Sequence, residues 1–484
     1  MDLDQNRVPL FEAIKKHIDR DIIPFHVPGH KYGNGLEEYK SFVGENVLKM
    51  DLNSMDDLDN ACNPVGVIAE AERLFAEAFG AQDAYFLVNG ATAGVQTMIM
   101  SACKQGEQII IPRNAHKSVI GAIILSGAIP VYIQPEINEE LGIAMGITEL
   151  SLKKTIKENP HAKAVFVINP TYYGVVSELK SIVRLAHRNN MAVLVDEAHG
   201  SHMSFHNEFP LTAMEVGADV SVVSMHKTGG SMTQTAGLLV RGNIIKPNSL
   251  KQTLNLTYTT SASYVLMCSL DLARKQLFIK GPEMLQKVLD MTRWAREEIN
   301  NIDGLYAPGM ELVGTPGCYD FDETKLTINV RELGFTGYEI EKILIRDYKI
   351  QVEFADYYNI FLIVSLGDCK EYLEALINAM KDIAQNAKPG EPKKPIVIPF
   401  CTQTIVAPRE AFYSPKKAIP LKDSVGEISG EMVMSYPPGI PIICMGERIT
   451  QEIIDYIEML KNEKYQIQGT ADPYIENLMV LGHQ

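Results

Sequence analysis

The sequence has few cysteines, and they are far apart. Only seven occur in 484 residues, and no two of them have the short spacing that zinc sites and redox pairs require. None stands in a recognisable nucleophile motif. We therefore expect reduced cysteines, no metal site and no catalysis by a cysteine.

A secretory leader and a long apolar segment are also missing. The chain begins Met1-Asp2-Leu3-Asp4, without a basic stretch followed by an apolar one. One of its longest apolar stretches, residues 121–133, is interrupted by Ser126 and Pro130. The sequence therefore predicts a cytoplasmic protein with no signal peptide and no membrane span.

Basic residues are fewer than acidic ones. Forty-five Lys and Arg residues against sixty Asp and Glu residues give a net charge of −15, which repels phosphate backbones and weakly favours small cations. We expect no nucleic acid partner. Hydrophobic residues at 46% and charged residues at 22% are near the average for globular proteins, so disorder and fibrous folds are excluded.

Short apolar runs alternate with helix-length amphipathic stretches such as Leu150–Glu158 and Leu179–His187. Continuous apolar strands between helices predict an α/β fold with a mostly parallel sheet that is covered on both faces. The runs are Tyr85–Val88, Gln108–Ile111, Pro130–Ile133, Ala164–Ile168, Ala192–Val195 and Val220–Val223.

A helix is predicted before the first of these strands. Asn63 is its expected N-cap, Pro64 lies in the first turn, and Gly80 follows the end. The residues expected on its buried face are Val67, Ala71, Leu74 and Ala78.

The length predicts two to four domains. A smaller α/β unit is expected over residues 326–384, and Lys388–Pro395, rich in Pro and Lys, is expected to be a linker. A third unit should end in a helix with Ile453, Ile454, Ile457 and Leu460 on one side. The predicted parts are an N-terminal arm (1–62), a large domain (63–300), a small domain (301–386) and a C-terminal domain (387–484).

Polar residues follow each apolar run, where ligands bind in open α/β sheets. A small-residue turn at 89–94 opens a helix and could hold a phosphate, although such turns are more often structural, and neither a P-loop nor G-x-G-x-x-G is present. Asp196 ends an apolar strand and needs a partner, either a structural one or a ligand. Lys227, beside His226, is by itself an ordinary surface lysine.

Taken together, these residues indicate one cofactor. Pyridoxal phosphate (PLP) requires a phosphate cradle, a lysine that binds its aldehyde, a carboxylate for its ring nitrogen and a flat group against its ring. The turn at 89–94, Lys227, Asp196 and His116 meet those requirements at one edge of the predicted sheet.

The sequence resembles the ornithine/lysine/arginine decarboxylases of fold type I, an aspartate aminotransferase-like fold, in their short form without an N-terminal wing domain. The similarity covers nearly the whole chain, and within that family it is nearest to the short bacterial arginine decarboxylases. Six motifs in family order carry it: Pro24–Lys31, Arg113–Ser118, Asn169–Gly174, Asp196–Gly200, Ser224–Lys227 and Tyr436–Pro441.

The resemblance implies roles for particular residues. Lys227 binds the cofactor covalently, Asp196 pairs with the pyridinium nitrogen, and His116 stacks on the ring, with Ala198 on the other face. His226 contacts the substrate carboxylate or assists protonation, and the sequence leaves open whether Lys227 or His226 returns the proton. The phosphate is expected to be held by Gly90, Ala91, Thr92 and Ser224.

The resemblance also implies the reaction, which is the decarboxylation of a basic amino acid for polyamine synthesis. L-Arginine, giving agmatine, is the first choice, with lysine second and ornithine third. A homo-oligomer with shared active sites is expected, with the Pro24–Lys31 segment reaching a neighbour. The candidates for binding the substrate are Glu353, Asp356, Glu431 and His199.

The sequence leaves two other functions as alternatives. An aminotransferase requires an arginine that clamps a carboxylate, for which Arg331 and Arg346 are the candidates. A catalytically idle regulatory relative is the other alternative. The presence of Lys227 together with Asp196 and His116 argues against it, because a binding role has no use for such a lysine.

Overall fold

The computed structural model describes residues 3–242, 244–386, 403–435, 439–463, 465 and 467–482. The chain divides into two compact units. The first contains residues 1–101, 194–286 and 365–367, and the second contains residues 102–193, 287–364 and 368–484.

The helices, in chain order, are α1 Pro9–Ile18, α2 Glu37–Val43, α3 Glu45–Met50, α4 Val67–Ala78, α5 Gly90–Ala102, α6 Lys117–Ser126, α7 Glu149–Glu158, α8 Leu179–Arg188, α9 Ala213–Val216, α10 Met225–Thr228, α11 Pro247–Thr257, α12 Tyr264–Asn300, α13 Gly337–Ile343, α14 Lys370–Asn386, α15 Pro408–Tyr413 and α16 Gln451–Asn462.

The strands are β1 Asp83–Leu87, β2 Gln108–Pro112, β3 Ile129–Ile133, β4 Ile137–Asn138, β5 Ile143–Ala144, β6 Ala164–Ile168, β7 Val175–Val176, β8 Ala192–Asp196, β9 Val220–Val223, β10 Ala236–Val240, β11 Asp320–Phe321, β12 Lys325–Asn329, β13 Phe354–Ala355, β14 Asn359–Ile363, β15 Lys416–Pro420, β16 Val433–Ser435, β17 Ile440–Ile443, β18 Ile467–Gln468 and β19 Asn477–Leu481. All six strands predicted from apolar runs are confirmed to within two residues.

In the first unit the strands pair in the order β1, β10, β9, β8. β8 and β9 are parallel, with Asp196 opposite Val222, whereas β10 is antiparallel to both of its neighbours. Every residue of β8, β9 and β10 is buried, as expected for strands that are covered on both faces. Because β1 and β9 are both antiparallel to β10, β1 runs in the same direction as β9.

The predicted helix before β1 exists but begins later. α4 starts at Val67 with Gly66 as its N-cap, so the N-cap prediction of Asn63 is wrong. The reason is a carboxylate outside the helix: Asp59 accepts hydrogen bonds from the backbone N–H groups of Gly66 and Ile68 at 2.7 and 3.1 Å. These are first-turn donors that an N-cap side chain normally satisfies.

α5 packs closely on the sheet of the first unit because Gly94 has no side chain. A Cβ at this position would lie 2.6 Å from the Val222 side chain and 2.9 Å from that of Leu87. Any larger residue would push the start of α5 away from β1 and β9. Gly94 therefore sets the distance between the helix and the strands that carry the site described below.

The second unit contains a parallel three-stranded arrangement and smaller antiparallel sheets. β2 pairs in parallel with both β3 and β6. β14 lies between β12 and β13, and α13 packs on β13 and β14, all within the range of the predicted small α/β unit, which stays a prediction. Arg409 in α15 donates to the carbonyls of Ile124 and Leu125 at 2.8 Å, which satisfies the C-terminal turn of α6.

The closing helix is confirmed as α16, with Ile453, Ile454, Ile457 and Leu460 buried. The predicted linker, Lys388–Pro395, lies outside the described residues, as do the first three residues of the Tyr436–Pro441 motif. None of the described helices is long and apolar enough to cross a bilayer. The bounds of the four predicted parts stay a prediction.

Candidate active site

The first unit presents four strand ends at one edge of its sheet. The carboxyl ends of β1, β8 and β9 point the same way, and the amino end of antiparallel β10 lies among them. The backbone N–H of Gly90, after β1, donates to the carbonyl of Gln234, before β10, at 2.8 Å. Residues that follow β1, β8 and β9 therefore meet at this edge, as the sequence predicted.

Lys227 and His199 are in direct contact there. Lys227 Nζ lies 2.8 Å from His199 Nε2, although the two residues are 28 positions apart. An ammonium group has only donors, so a charged Lys227 requires His199 Nε2 as acceptor and places the ring proton on Nδ1. His199 is buried, and Lys227 is half-buried in the first turn after β9. The pair therefore gives the amine a neighbour that can take or return a proton.

Asp196 is the buried carboxylate of the site. It is 8% exposed at the end of β8, and its Oδ1 accepts the backbone N–H of Ala198 at 3.1 Å. Burial raises the pKa of Asp196, while the charge of Lys227 and the Ala198 N–H oppose that rise. Such a carboxylate is best stabilised by a cationic partner. A protonated ring nitrogen is a cation of that kind, and it requires a carboxylate as its neighbour.

The turn after β1 has the features of an anion site. Gly90 has φ +73°, a left-handed conformation that suits glycine, and it opens the thirteen-residue helix α5. The first turn of α5 has no acidic residue, and the Thr92 side chain is exposed while Ala91 is half-buried. Free N–H groups and the positive end of the helix dipole attract phosphate at such a position.

Two further predicted residues stand beside Lys227 in the chain. Ser224 follows β9 directly and is 1% exposed. His226 Nδ1 lies 3.0 Å from the carbonyl oxygen of Thr235, so Nδ1 carries the proton and the orientation of the ring is fixed. The sequence singled out His226 as the neighbour of the lysine, whereas the structure brings His199 against its amine.

Glu197 is a residue of this site region that the sequence analysis did not single out. Its Oε1 accepts the Ala213 N–H at 2.7 Å, and its Oε2 accepts the Ser221 hydroxyl at 2.5 Å. It is 1% exposed. The signal was present in the sequence, since a second carboxylate directly after Asp196 in a buried position requires its own donors.

The environment of Glu197 predicts a dependence of stability on pH. Burial raises the pKa of Glu197 to about 7, although the bonds from Ser221 and Ala213 oppose the rise. The unfolded chain releases this proton near pH 4.5. The folded protein binds more protons in between, so the stability linked to Glu197 is present at low pH and is lost as pH rises toward 7.

Glu197→Gln is expected to remove this loss. Glutamine can accept from Ala213 and donate to Ser221 without a charge. The difference in free energy of unfolding, variant minus wild type, should grow by about 1–3 kcal/mol between pH 5 and 8 in denaturant titrations. A difference that is constant across this range would contradict the prediction.

His116, the predicted ring-stacking residue, belongs to the second unit. It is the N-cap of α6, and its Nδ1 accepts the backbone N–H of Ser118 at 3.2 Å and lies 2.8 Å from the Ser118 hydroxyl oxygen. These contacts fix the imidazole at the end of the turn that follows β2. The ring is half-buried.

The three carboxylates predicted to bind the substrate also lie in the second unit. Asp356 accepts the Tyr173 hydroxyl at 2.8 Å and the Asn359 side chain at 3.0 Å. Glu431 accepts two backbone N–H groups, those of Ala471 and Met479. These contacts give Asp356 and Glu431 structural partners, whereas the Glu353 side chain is exposed.

The arrangement in the first unit defines the class of protein. A lysine, a buried aspartate and an anion-binding helix end at one edge of an α/β sheet are the groups that a PLP enzyme requires. The chain belongs to the Orn/Lys/Arg decarboxylase family. The family's major domain matches residues 8–372, and its C-terminal domain matches residues 402–472. The resemblance drawn from the motifs is confirmed.

Relatives of similar length support the same assignment. The arginine decarboxylase of Bacillus subtilis is 43% identical over 100% of this chain and 99% of its own, and that of Halalkalibacterium halodurans is 43% identical over 99% and 98%. The crystal structure of the lysine decarboxylase LdcF of Francisella novicida superposes with a TM-score of 0.87 at 21% identity, covering 99% of this chain and 82% of that one. The predicted fold class is confirmed.

The chain is therefore a PLP-dependent decarboxylase. The residues present fit the cofactor: Lys227 supplies an amine in contact with a histidine, Asp196 a buried carboxylate, and the start of α5 an anion-binding end. An aminotransferase and an idle regulatory protein were the alternatives, and the family match and the arginine decarboxylase relatives favour decarboxylation over both.

Proposed function

We propose that this enzyme removes the α-carboxyl group of L-arginine and releases agmatine and CO2. The observation that carries the proposal is the contact of Lys227 with His199 beside buried Asp196, in a chain that is 43% identical over its full length to an arginine decarboxylase. Lysine and ornithine are the alternative substrates, in that order.

The residues of the first unit have separate tasks in this proposal. Lys227 would hold the cofactor covalently, and Asp196 would keep a proton on its ring nitrogen. Gly90, Ala91, Thr92 and Ser224 would hold the phosphate, and Ala198 and His116 would contact the ring. The bound cofactor supplies an electron sink for the pair of electrons left on Cα when CO2 departs.

The return of a proton to Cα is the step that the chain must control. Lys227, once freed from the cofactor, and His226 were the two candidates. The 2.8 Å contact between Lys227 Nζ and His199 Nε2 favours Lys227, because His199 Nε2, as the acceptor, holds and orients the ammonium group that gives the proton away. His226, whose Nδ1 donates to the Thr235 carbonyl, is left to contact the substrate carboxylate, which requires a second proton on its Nε2.

The substrate assignment predicts the product mixture. With arginine, lysine and ornithine supplied together at equal concentration, agmatine is expected to be the dominant amine. A pocket whose carboxylates suit the planar fork of a guanidinium holds the point charge of an ammonium less well. Chromatography of derivatised amines, with a Lys227→Ala preparation as the blank, measures the ratio. Dominant cadaverine would overturn arginine but not decarboxylation, and keto acid formation would overturn both.

We also propose that the active form contains at least two copies of the chain. Residues 23–42 of the first unit carry large apolar side chains that are mostly exposed, among them Ile23 at 75%, Phe25 at 93% and Phe42 at 91%. A cluster of this kind on a soluble protein marks an interaction surface. The Pro24–Lys31 segment, which is predicted to reach a neighbouring copy, lies within it.

Sedimentation velocity with simultaneous assay tests this proposal. The wild-type protein is expected to sediment as a dimer or larger, and Phe25→Ser with Phe42→Ser to shift it toward monomer with loss of activity. Leu150→Ser, which changes an exposed leucine (78%) of the second unit, is the matched control and should leave the sedimentation unchanged. An active monomer would refute the shared site.

A further inference from the structure

The turn that carries His116 is bonded to the C-terminal part of the chain on both sides of the histidine. β2 ends at Pro112 and α6 begins at Lys117, so the turn comprises residues 113–116. On the far side of His116, the backbone N–H of Lys117 donates to the carbonyl of Gly439 at 3.1 Å. On the near side, Arg113 reaches the same segment, residues 439–447.

The Arg113 side chain binds that segment through both of its terminal nitrogens. Nη1 donates to the carbonyl of Pro441 at 2.9 Å, and Nη2 donates to the carbonyl of Ile442 at 3.1 Å. Nη2 also donates to Glu447 Oε2 at 3.0 Å. A rigid guanidinium that satisfies three acceptors in this way fixes orientation as well as distance.

Glu447 completes the arrangement. Its Oε2 accepts the backbone N–H of Cys444 at 2.7 Å in addition to the bond from Arg113, so one oxygen joins the turn of the segment to the guanidinium. The side chains of Arg113 and Glu447 are each 1% exposed. Removing one charge would leave the other buried without its partner, which strongly destabilises a fold, so the ion pair keeps the turn and the segment joined.

We propose that Glu447, which lies in the C-terminal family match, is a positioning residue for His116. Glu447 orients Arg113, and Arg113 together with the Lys117 backbone bond holds the turn that presents the imidazole. The inference rests on the proposed function, which gives His116 its place against the cofactor ring. It gives residues 402–472, the second family match, a role in holding His116, although His116 is far from them in the sequence.

The test is a double-mutant cycle between Glu447 and His116, measured on holoenzyme. Glu447→Gln is expected to keep the bound cofactor but to lower kcat/KM by about 10-fold to 100-fold, the loss expected when a reacting group shifts by about 1 Å. The visible circular dichroism of the bound cofactor should fall as it does in His116→Ala. The variant with both changes should be no worse than His116→Ala alone, because coupled residues are not additive.

Asp322→Asn is the matched control. Asp322 forms a buried ion pair with Lys325 in the same unit, at 2.7 Å, and the change should lower the unfolding temperature without altering the dichroism of the cofactor. If Glu447→Gln yields no soluble holoenzyme, Arg113→Met with Glu447→Met replaces it, since apolar pairs often substitute for buried ion pairs without unfolding the protein. The same dichroism and the same non-additivity are expected.

The outcomes separate the two ideas. Losses that multiply in the combined variant, or an unchanged dichroism signal in Glu447→Gln, would overturn the positioning role while leaving the proposed function intact. A His116→Ala enzyme with normal activity and normal dichroism would instead contradict the role that the proposed function gives to His116, and the inference would fail with it.

Discussion

Replacing Lys227 with alanine is expected to lower kcat/KM by about 10⁴-fold or more, the scale of loss seen when a covalent catalytic group is removed. In the proposed function this amine binds the cofactor aldehyde and, in contact with His199, donates the proton, so its removal abolishes both. The visible absorbance of the cofactor should disappear after dialysis. Agmatine release from arginine measures the loss of activity.

Two variants separate this role from a general effect. Lys280→Ala changes an exposed lysine of the same unit and should leave both absorbance and rate unchanged. Asp196→Asn keeps an acceptor for the Ala198 N–H but removes the charge, so cofactor content should remain while kcat falls about 10²-fold. If Lys227→Ala retained the dialysis-stable absorbance, the lysine would have to be reassigned.

Replacing Arg274 with alanine is expected to cost about 3–5 kcal/mol of the free energy of unfolding. The guanidinium is fully buried and donates to Asp271 at 2.6 Å and to the carbonyls of Gln5 and Arg7 at 2.7 and 2.6 Å. Its removal leaves the Asp271 carboxylate buried without its partner, and the carbonyls of Gln5 and Arg7 without this donor. The loss should appear as a lower urea midpoint monitored by circular dichroism.

The control is an arginine whose ion pair is in water. Arg346 pairs with Asp347 at 2.6 Å, but their side chains are 73% and 43% exposed, so Arg346→Ala should leave the midpoint unchanged. Equal midpoints for Arg274→Ala and Arg346→Ala would show that the buried pair is not a structural anchor.

The strands could be predicted because burial on both faces makes them continuous apolar runs. Ala164–Ile168 and Val220–Val223 were predicted to the residue. The order and direction of the strands could not be predicted. β10 is an apolar run like the others, and only its pairing with β1 and β9 shows that it is antiparallel. The N-cap of α4 was missed because its capping carboxylate, Asp59, precedes the helix by several residues.

The same limit applies to the site. The position of Asp196, Ser224 and Lys227 at one sheet edge could be predicted because each lies at or just after the end of a strand, and the sheet brings those strand ends together. The contact between Lys227 and His199 could not be predicted. His226 is next to the lysine in the sequence, whereas His199 comes close to it only in the folded chain. The bond between Arg113 and Glu447 joins residues 334 positions apart, so no local sequence pattern could predict it.

The pairing of β1 with β10 has a consequence for how the chain is made. Leu87 pairs with Ala236, and Asp83 with Val240, so β1 has no partner until about 150 further residues have been synthesised. At roughly 5–20 residues per second, the strand waits for about 8–30 s beside the ribosome exit. Until then its hydrogen-bonding edge is open to other chains. The interval in which β1 has been synthesised but not yet paired is therefore one in which the growing chain can aggregate.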